Sequence, residues 1–119
     1  MTREPELGLT ARGTIDRVID GDTVVVDLAF IGIPLHIRLL DCWAPERHTD
    51  AGKASTSFME TLVHDGTAVT VHVPTQDVDS LRDLLTFDRV LGEVWIAGDT
   101  QSLNERMVHS GHATETKEG

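Results

Sequence analysis

The sequence predicts a small, mainly β domain with helices, folded as a five-stranded Greek-key barrel of the OB type. Its 119 residues suffice for one domain with a modest hydrophobic core. Five short β-rich runs and two helical patterns follow one another in the order βββ-α-ββ-α, which such a barrel requires. An Asp-Gly pair between the first two runs is a typical hairpin turn.

The first three runs predict an antiparallel meander. Residues 12–19 and 23–28 are rich in β-branched side chains, and Asp20 and Gly21 lie between them. Residues 35–40 follow a Gly/Pro break and alternate apolar with polar side chains, as half-buried strands do. We therefore expect three neighbouring strands before any helix.

A helical period follows the third strand. Within residues 52–63, Ala54, Phe58 and Leu62 are spaced four apart, so they share one face of a helix. Gly66 ends this pattern. The sequence therefore predicts one amphipathic helix at this point of the chain.

The second half of the chain supplies two more strands and a short helix. Residues 69–73 and 89–96 have strand patterns, and residues 75–88 between them are expected to form a loop with one helical turn. A capping box, Ser102-Leu-Asn-Glu105, predicts the start of a helix that ends at Gly111.

Residues 1–9 are polar, show no periodicity and are expected to form a flexible arm. The domain is expected to span residues 10–113, followed by a tail at 114–119. The N-terminus lacks the basic and apolar regions of a signal peptide, and no apolar run approaches the length of a transmembrane helix. We therefore expect a cytoplasmic protein that does not bind membranes.

Charge and composition restrict the function classes. Ten Lys and Arg residues against 20 Asp and Glu residues give a formal net charge of -10. This charge disfavours non-specific attraction to nucleic acid and suits cations, or a substrate gripped at one local site. Aromatic residues make up only 4% of the chain, which leaves little material for stacking single-stranded bases. One cysteine, Cys42, excludes an intramolecular disulfide and a cysteine-cluster zinc site.

Charged residues near strand ends are the candidates for chemistry, and each also has a structural explanation. Asp22 follows the hairpin turn, where it either completes the turn or offers a carboxylate to a cation. Arg38 lies within an apolar strand, so it must meet a carboxylate, water or a phosphate. Glu46 follows a proline that bends the chain, which places it either at the mouth of the barrel or in solvent. Arg89, at the entry of the fifth strand, is a solvated charge when taken alone.

In order and spacing, these segments resemble four motifs of the staphylococcal nuclease (thermonuclease) family. The family motifs are V-I-D-G-D-T, R-L-x-G-I-D-A-P-E, Y-G-R-x-L-A-x-V-W and L-N-x-x-L-V-x-x-G-x-A. The matching segments here are Val18–Thr23, Arg38–Glu46, Phe87–Trp95 and Leu103–Ala113. The likeness extends from Gly13 to Ala113 and agrees with the OB-type barrel.

The resemblance implies a calcium-dependent endonuclease that hydrolyses single-stranded or flexible DNA or RNA to 3′-phosphate ends. Matched position by position, Asp22 and the main-chain carbonyl of Ala44 would bind Ca²⁺. Arg38 and Arg89 would hold the scissile phosphate, and Glu46 would act as the general base on the attacking water. These residue types suit the chemistry, because a phosphodiester repels hydroxide and negative charge builds up in the transition state.

Three departures from the family pattern affect these expectations. The family's second calcium aspartate falls five residues after the strand arginine, where this sequence has Trp43. Asp41 has the same strand parity and is the candidate replacement ligand, at about 6–7 Å along the strand from that position. Phe87 stands where the family has a tyrosine. The family also usually continues past the position of Gly119 into a long helix, which leads us to expect a less stable core or a partner.

Two functions therefore remain open. The first is a calcium-dependent nuclease with catalytic Arg38, Glu46 and Arg89 and with metal ligands Asp22, Asp41 and Ala44. The alternative is a catalytically inactive barrel that binds protein or oligonucleotides, which the departures and the net charge favour. Retention of all three catalytic residue types favours the nuclease.

Overall fold

The computed structural model describes residues 7–74, 82 and 89–117, and within these ranges the predicted element order is observed. The strands are β1 (Gly8–Asp20), β2 (Thr23–Leu28), β3 (Pro34–Leu39), β4 (Ala68–Pro74) and β5 (Val90–Ile96). Helix α1 (Asp50–Leu62) lies between β3 and β4, and α2 (Leu103–His109) follows β5. The loop expected at residues 75–88 lies outside the described residues, apart from Arg82, and Phe87 lies outside them as well.

The five strands close into a barrel in the order β1-β2-β3-β5-β4. β1 pairs antiparallel with β2 and β4, β2 with β3, and β4 with β5, whereas β3 and β5 are parallel. The predicted mainly β, OB-type barrel is therefore confirmed. The parallel pair matters for the site, because it places the start of β5 beside the middle of β3, where Ile37 pairs with Val90.

The core fills the barrel and extends under both helices. Alternate residues of the strands point inward, as the period of two along a strand requires, and α1 and α2 each add apolar side chains. The fully buried side chains include Ile15, Val24, Val26, Ile37, Leu39, Met59, Val71, Val94, Leu103 and Met107. Among the described residues, no helix is long and apolar enough to cross a membrane.

Strand β1 is longer than the sequence predicted and begins at Gly8, inside the segment expected to be an arm. Residues 8–14 pair with β4, while residues 13–20 pair with β2, so β1 bridges both neighbours in turn. This second partner orders the first residues of the strand, whose own sequence shows weak periodicity. Pairing with a distant segment therefore extends the strand beyond what local pattern indicates.

Helix α2 has the predicted capping box. Ser102 Oγ accepts the Glu105 main-chain N–H, and Glu105 Oε1 accepts the Ser102 main-chain N–H. The buried Asn104 then ties the helix to the barrel, since its amide nitrogen donates to the carbonyl oxygen of Leu40 at 2.8 Å and its Oδ1 accepts the N–H of Val94 at 3.2 Å. These bonds fix α2 next to the loop that follows β3.

Helix α1 begins at Asp50, because Thr49 caps it by accepting the Gly52 N–H at 3.0 Å. We expect Gly52→Ala to destabilise the fold by about 1–3 kcal/mol, although alanine favours an ordinary helix by about 1 kcal/mol. The reason is contact: a Cβ at position 52 would overlap the main-chain carbonyl oxygen of Glu46. Urea unfolding of both chains measures the difference. Ser57→Ala, on the exposed face of the same helix, is the matched control, and equal stability of the two variants would refute the expected contact.

Candidate active site

A cleft of about 580 Å³ lies on the outside of the barrel where four segments meet. These segments are the β1–β2 turn, the end of β3 with the loop after it, the start of β5, and the chain that follows α2. The lining residues are 43–47 and 111–114, together with Asp20, Asp22, Thr23, Arg38, Arg89 and Lys117. Asp22, Arg38, Ala44, Glu46 and Arg89 were all predicted site residues, and the fold brings them to this one cleft.

The β1–β2 turn supplies two carboxylates to the cleft. Asp22 is part-buried, and its Oδ1 accepts the Thr23 hydroxyl at 3.0 Å while its Oδ2 accepts the Ala44 N–H at 3.0 Å. Asp20 Oδ1 accepts the Asp22 N–H at 3.1 Å. Burial raises the pKa of the Asp20 carboxyl, and its side-chain contact with Asp22 adds to this rise. Both carboxylates keep lone pairs free, since an ionised carboxyl group can accept about four hydrogen bonds.

Helix α1 holds this turn against the chain after α2. A Cβ at Gly21 would overlap the hydroxyl of Ser55, so only glycine allows the turn to lie so close to the helix. Ser55 is buried and donates its hydroxyl to the carbonyl oxygen of His112 at 2.9 Å. The ring of His112 stacks on Phe58, with centroids 4.5 Å apart. Two sides of the cleft are therefore fixed to the same helix.

Arg38 is buried at the base of the cleft. It lies on β3 between Ile37 and Leu39, whose side chains enter the core, so its own side chain points to the opposite face. Its Nη1 donates to the carbonyl oxygen of Leu39 at 2.6 Å, and its Nη2 lies 3.5 Å from Asp22 Oδ2. Among the described residues, Nη2 has no hydrogen-bond partner. A buried cation that lines a cleft and has an unused donor is suited to bind an anion.

Glu46 and Arg89 reach the cleft from two different segments of the chain. Glu46 follows Ala44 and Pro45 in the loop after β3, and its main-chain oxygen anchors the loop by accepting the N–H of Thr49 at 3.0 Å. Its side chain is exposed. Arg89 immediately precedes β5, and the parallel pairing of β5 with β3 carries it toward Arg38. The cleft thus combines one buried guanidinium, one exposed guanidinium and one exposed carboxylate.

Asp41 does not join this cleft. Strand parity does not extend to Asp41, because β3 ends at Leu39 and Asp41 adopts a left-handed backbone conformation with a φ of 52°. Its side chain instead lines a separate depression of about 390 Å³ with Glu93, Asn104 and His109 among its neighbours. Among the described residues, no group of three or more His, Cys, Asp or Glu side chains could hold a metal ion.

Trp43 and Cys42 follow Asp41 and have different roles. The Trp43 ring is 37% exposed at the edge of the cleft, and the Arg38 guanidinium lies over it, with Cζ 4.0 Å from the ring centroid. Cys42 is fully buried in the core. Burial, with a smaller contribution from the Asp22 carboxylate, raises the pKa of its thiol to about 12. Cys42 therefore packs in the core and supplies no thiolate nucleophile near neutral pH.

The formal net charge of the cleft differs in sign from that of the whole chain. Among the described residues that line it, Arg38, Arg47, Arg89 and Lys117 carry positive charge, against the three carboxylates of Asp20, Asp22 and Glu46. The cleft thus has a formal excess of one positive charge in a chain whose net charge is -10. An anionic ligand is attracted here and repelled by much of the remaining surface.

Several residues of the cleft were not predicted as site residues from the sequence, among them Arg47, Lys117 and His112. Arg47 follows Glu46 directly, and its proximity to the motif was an available signal. Lys117 falls in the segment expected to be a tail, and it reaches the cleft because Thr114 pairs with Trp43 through two main-chain hydrogen bonds of 2.8 and 3.0 Å. His112 is placed by contacts that no local sequence pattern indicates, because its ring stacks on Phe58 and its carbonyl oxygen accepts the Ser55 hydroxyl.

Comparisons with known proteins find a matching family and several similar sequences. A family model described as staphylococcal nuclease homologue matches residues 36–118. An uncharacterized endonuclease of Escherichia coli is 36% identical over 109 residues, covering 92% of this chain and 63% of the relative. Endonuclease YhcR of Bacillus subtilis is 32% identical over 112 residues, covering 85% of this chain and 8% of the relative. The chain therefore spans less than two thirds of the length of these relatives.

Proposed function

Because the chain belongs to the staphylococcal nuclease homologue family, we propose that it is a nuclease that hydrolyses phosphodiester bonds of DNA or RNA in the cleft described above. The observation that carries the proposal is the convergence of Arg38 and Glu46, from β3 and the loop after it, with Arg89, from the start of β5, onto one locally cationic cleft. The names of the two endonuclease relatives support the same activity. The open cleft suits a single-stranded or flexible strand.

The two arginines bind the phosphate that is attacked. Arg38 offers a buried Nη2 without a protein hydrogen-bond partner among the described residues, and Arg89 offers an exposed guanidinium. Guanidinium groups bind phosphate oxygens through charge-assisted, often bidentate hydrogen bonds. Such donors stabilise the negative charge that increases on the oxygens in the five-coordinate transition state.

Glu46 provides the base. Its carboxylate is exposed at the cleft, where water can reach both the side chain and a bound phosphate. A carboxylate that accepts a proton from water as the oxygen attacks phosphorus generates the nucleophile without free hydroxide. The 5′ oxygen then leaves and takes a proton from solvent, Glu46 returns its proton to solvent, and the product keeps a 3′-phosphate.

A divalent cation completes the proposed site, and the donors at the turn fit calcium with few protein ligands. Asp22, Asp20 and the main-chain carbonyl of Ala44 are the oxygen donors that would hold it, with water filling the remaining positions. When bound, calcium supplies positive charge beside the phosphate. Two carboxylates, one of them 3.5 Å from Arg38 Nη2, give less charge than typical high-affinity sites, so we expect a dissociation constant on the order of 10⁻³ M.

Measurement of the Ca²⁺ concentration that hydrolysis requires tests this site. Asp22→Asn is expected to raise the Ca²⁺ concentration for half-maximal hydrolysis of single-stranded DNA by about tenfold or more, because it removes a charged ligand. Asp41→Asn is the matched control, since Asp41 lines the other depression, and it should leave the calcium requirement unchanged. Thermal unfolding of both variants separates a folding defect from a binding defect.

Three results would contradict this assignment. Full activity of the wild-type chain in a chelator would exclude the cation. An equal or larger shift for Asp41→Asn would move the cation to the other depression. Absence of saturable Ca²⁺ binding by calorimetry at millimolar metal, combined with absence of hydrolysis, would favour the inactive binding module instead.

A further inference from the structure

Trp43 lies where the loop after β3 meets the chain after α2. Its main chain exchanges two hydrogen bonds with Thr114, so the position of the indole is set by backbone pairing as well as by packing. The Arg38 guanidinium carbon is 4.0 Å from the ring centroid, and Lys117 Nζ is 5.5 Å from it. Both distances fall within the range of cation–π attraction.

The other contacts of Arg38 do not fix the orientation of its guanidinium group, so the Trp43 ring sets it. Its side chain is only 8% exposed, so solvent does little to hold the guanidinium in place. One hydrogen bond, from Nη1 to the Leu39 carbonyl oxygen, fixes a single corner of the group. The distance of 3.5 Å from Nη2 to Asp22 Oδ2 is long for a charge-assisted hydrogen bond. Without the ring, the guanidinium would be free to close on Asp22, and that carboxylate would then take up its Nη2 donor.

We infer that Trp43 is a positioning residue for Arg38: the indole face holds the guanidinium plane so that Nη2 stays available to a phosphate oxygen. This inference rests on the proposed nuclease function, but the contact between Trp43 and Arg38 does not depend on that function. Trp43 acts through Arg38 and needs no contact with the reacting atoms. Its effect should therefore depend on a planar cation at position 38 and on an aromatic face at position 43.

The kinetic test compares Trp43→Leu with Trp43→Phe. Loss of the aromatic face is expected to lower kcat/KM on single-stranded DNA by about 2- to 30-fold, the range of cation–π contributions at partly desolvated sites. Trp43→Phe should recover most of this loss, because it keeps a π face. Trp95→Phe changes the other tryptophan, which is half-buried on β5 outside the cleft, and should leave the rate unchanged.

A double-mutant cycle separates positioning from direct stacking on a base. In an Arg38→Lys background the cation is not planar, so the indole has no guanidinium plane to orient. If the two residues are coupled, Trp43→Leu should then lower kcat/KM by less than about twofold. The same fold-loss in both backgrounds would overturn the inference, because it would mean that Trp43 contacts substrate independently of Arg38.

A readout that needs no catalysis makes the inference independent of the nuclease proposal. The Arg38 Nε–H resonance should show a ring-current shift in the wild type and in Trp43→Phe, and should lose it in Trp43→Leu. Titration with inorganic phosphate should perturb this resonance at a lower concentration in the wild type than in Trp43→Leu. Identical resonances and phosphate affinities in the two chains would refute positioning by Trp43. If they differ as expected while no chain cleaves DNA, the nuclease proposal alone fails.

Discussion

Glu46→Gln is expected to lower kcat by about 10²–10⁴-fold, the usual contribution of a positioned general base. Glutamine has nearly the same shape but cannot accept the proton of the attacking water. KM and the melting temperature should change little, because Glu46 anchors its loop through its main-chain oxygen, which the variant keeps. Initial rates on single-stranded DNA at saturating Ca²⁺ measure the effect.

Glu60→Gln provides the control for this prediction. Glu60 is an exposed acid on α1 and does not line the cleft. The control has the same change of charge, so it reports any effect of net charge on the approach of an anionic strand. If Glu46→Gln keeps more than half of the wild-type kcat, Glu46 is not the base.

Removal of either arginine should lower kcat/KM by about 10²–10³-fold, the loss observed when one donor to a transition-state oxyanion is deleted. The two variants should differ in stability. Arg38→Ala removes a buried cation and leaves Asp22 without its ion pair, so it should also destabilise the fold by about 2 kcal/mol or more. Arg89→Ala removes an exposed side chain and should leave the unfolding free energy nearly unchanged.

Measurement of both kinetics and urea unfolding tests this contrast. Arg17→Ala is the control, because Arg17 is an exposed cation on β1 that pairs with the neighbouring Asp16 outside the cleft. Arg17→Ala should change neither kcat/KM nor the free energy of unfolding by much. Wild-type activity in Arg89→Ala, or an Arg17→Ala defect as large as that of Arg89→Ala, would show that the cleft does not bind the scissile phosphate.

Much of the fold could be predicted from the sequence because its signals are local. The Asp20-Gly21 turn, the alternation in residues 35–40 and the Ser102 capping box each specify a nearby structure, and the element order then restricts the architecture. The register of β3 on β5 could not be predicted, because about 50 residues separate these strands and no local pattern encodes their pairing. That parallel pair is what brings Arg89 to Arg38.

The candidate site was predicted best where its residues belong to a motif. Asp22, Arg38, Ala44, Glu46 and Arg89 all reach the cleft, although their roles remain predictions. The prediction for Asp41 relied on the alternation of side chains between the two faces of a strand. This alternation holds only while the strand continues. The chain leaves the strand after Leu39 and turns through a left-handed residue. Aspartate tolerates the left-handed conformation better than most residues, but this tolerance does not indicate at which residue the strand ends.

The net charge had argued against any nucleic-acid role, and the structure changes this interpretation. Among the described residues, the cleft is lined by four cations and three carboxylates, whereas acids such as Asp27, Asp50 and Asp65 lie outside it. A long nucleic acid should therefore bind weakly and a single phosphate should bind locally. The same arrangement makes a cation useful during the approach of the substrate, because it screens the acidic surface around the cleft.

Cleavage of a 5′-labelled single-stranded DNA by the purified chain, with products resolved by their end groups, decides whether the barrel is a nuclease. We expect cleavage in millimolar Ca²⁺ to fragments that carry 3′-phosphates, loss of cleavage in a chelator, and a rate for Glu46→Gln that is lower by at least about a hundredfold. Retention of the oligonucleotide without cleavage, with wild type and Glu46→Gln behaving alike, would instead identify the barrel as an inactive binding module.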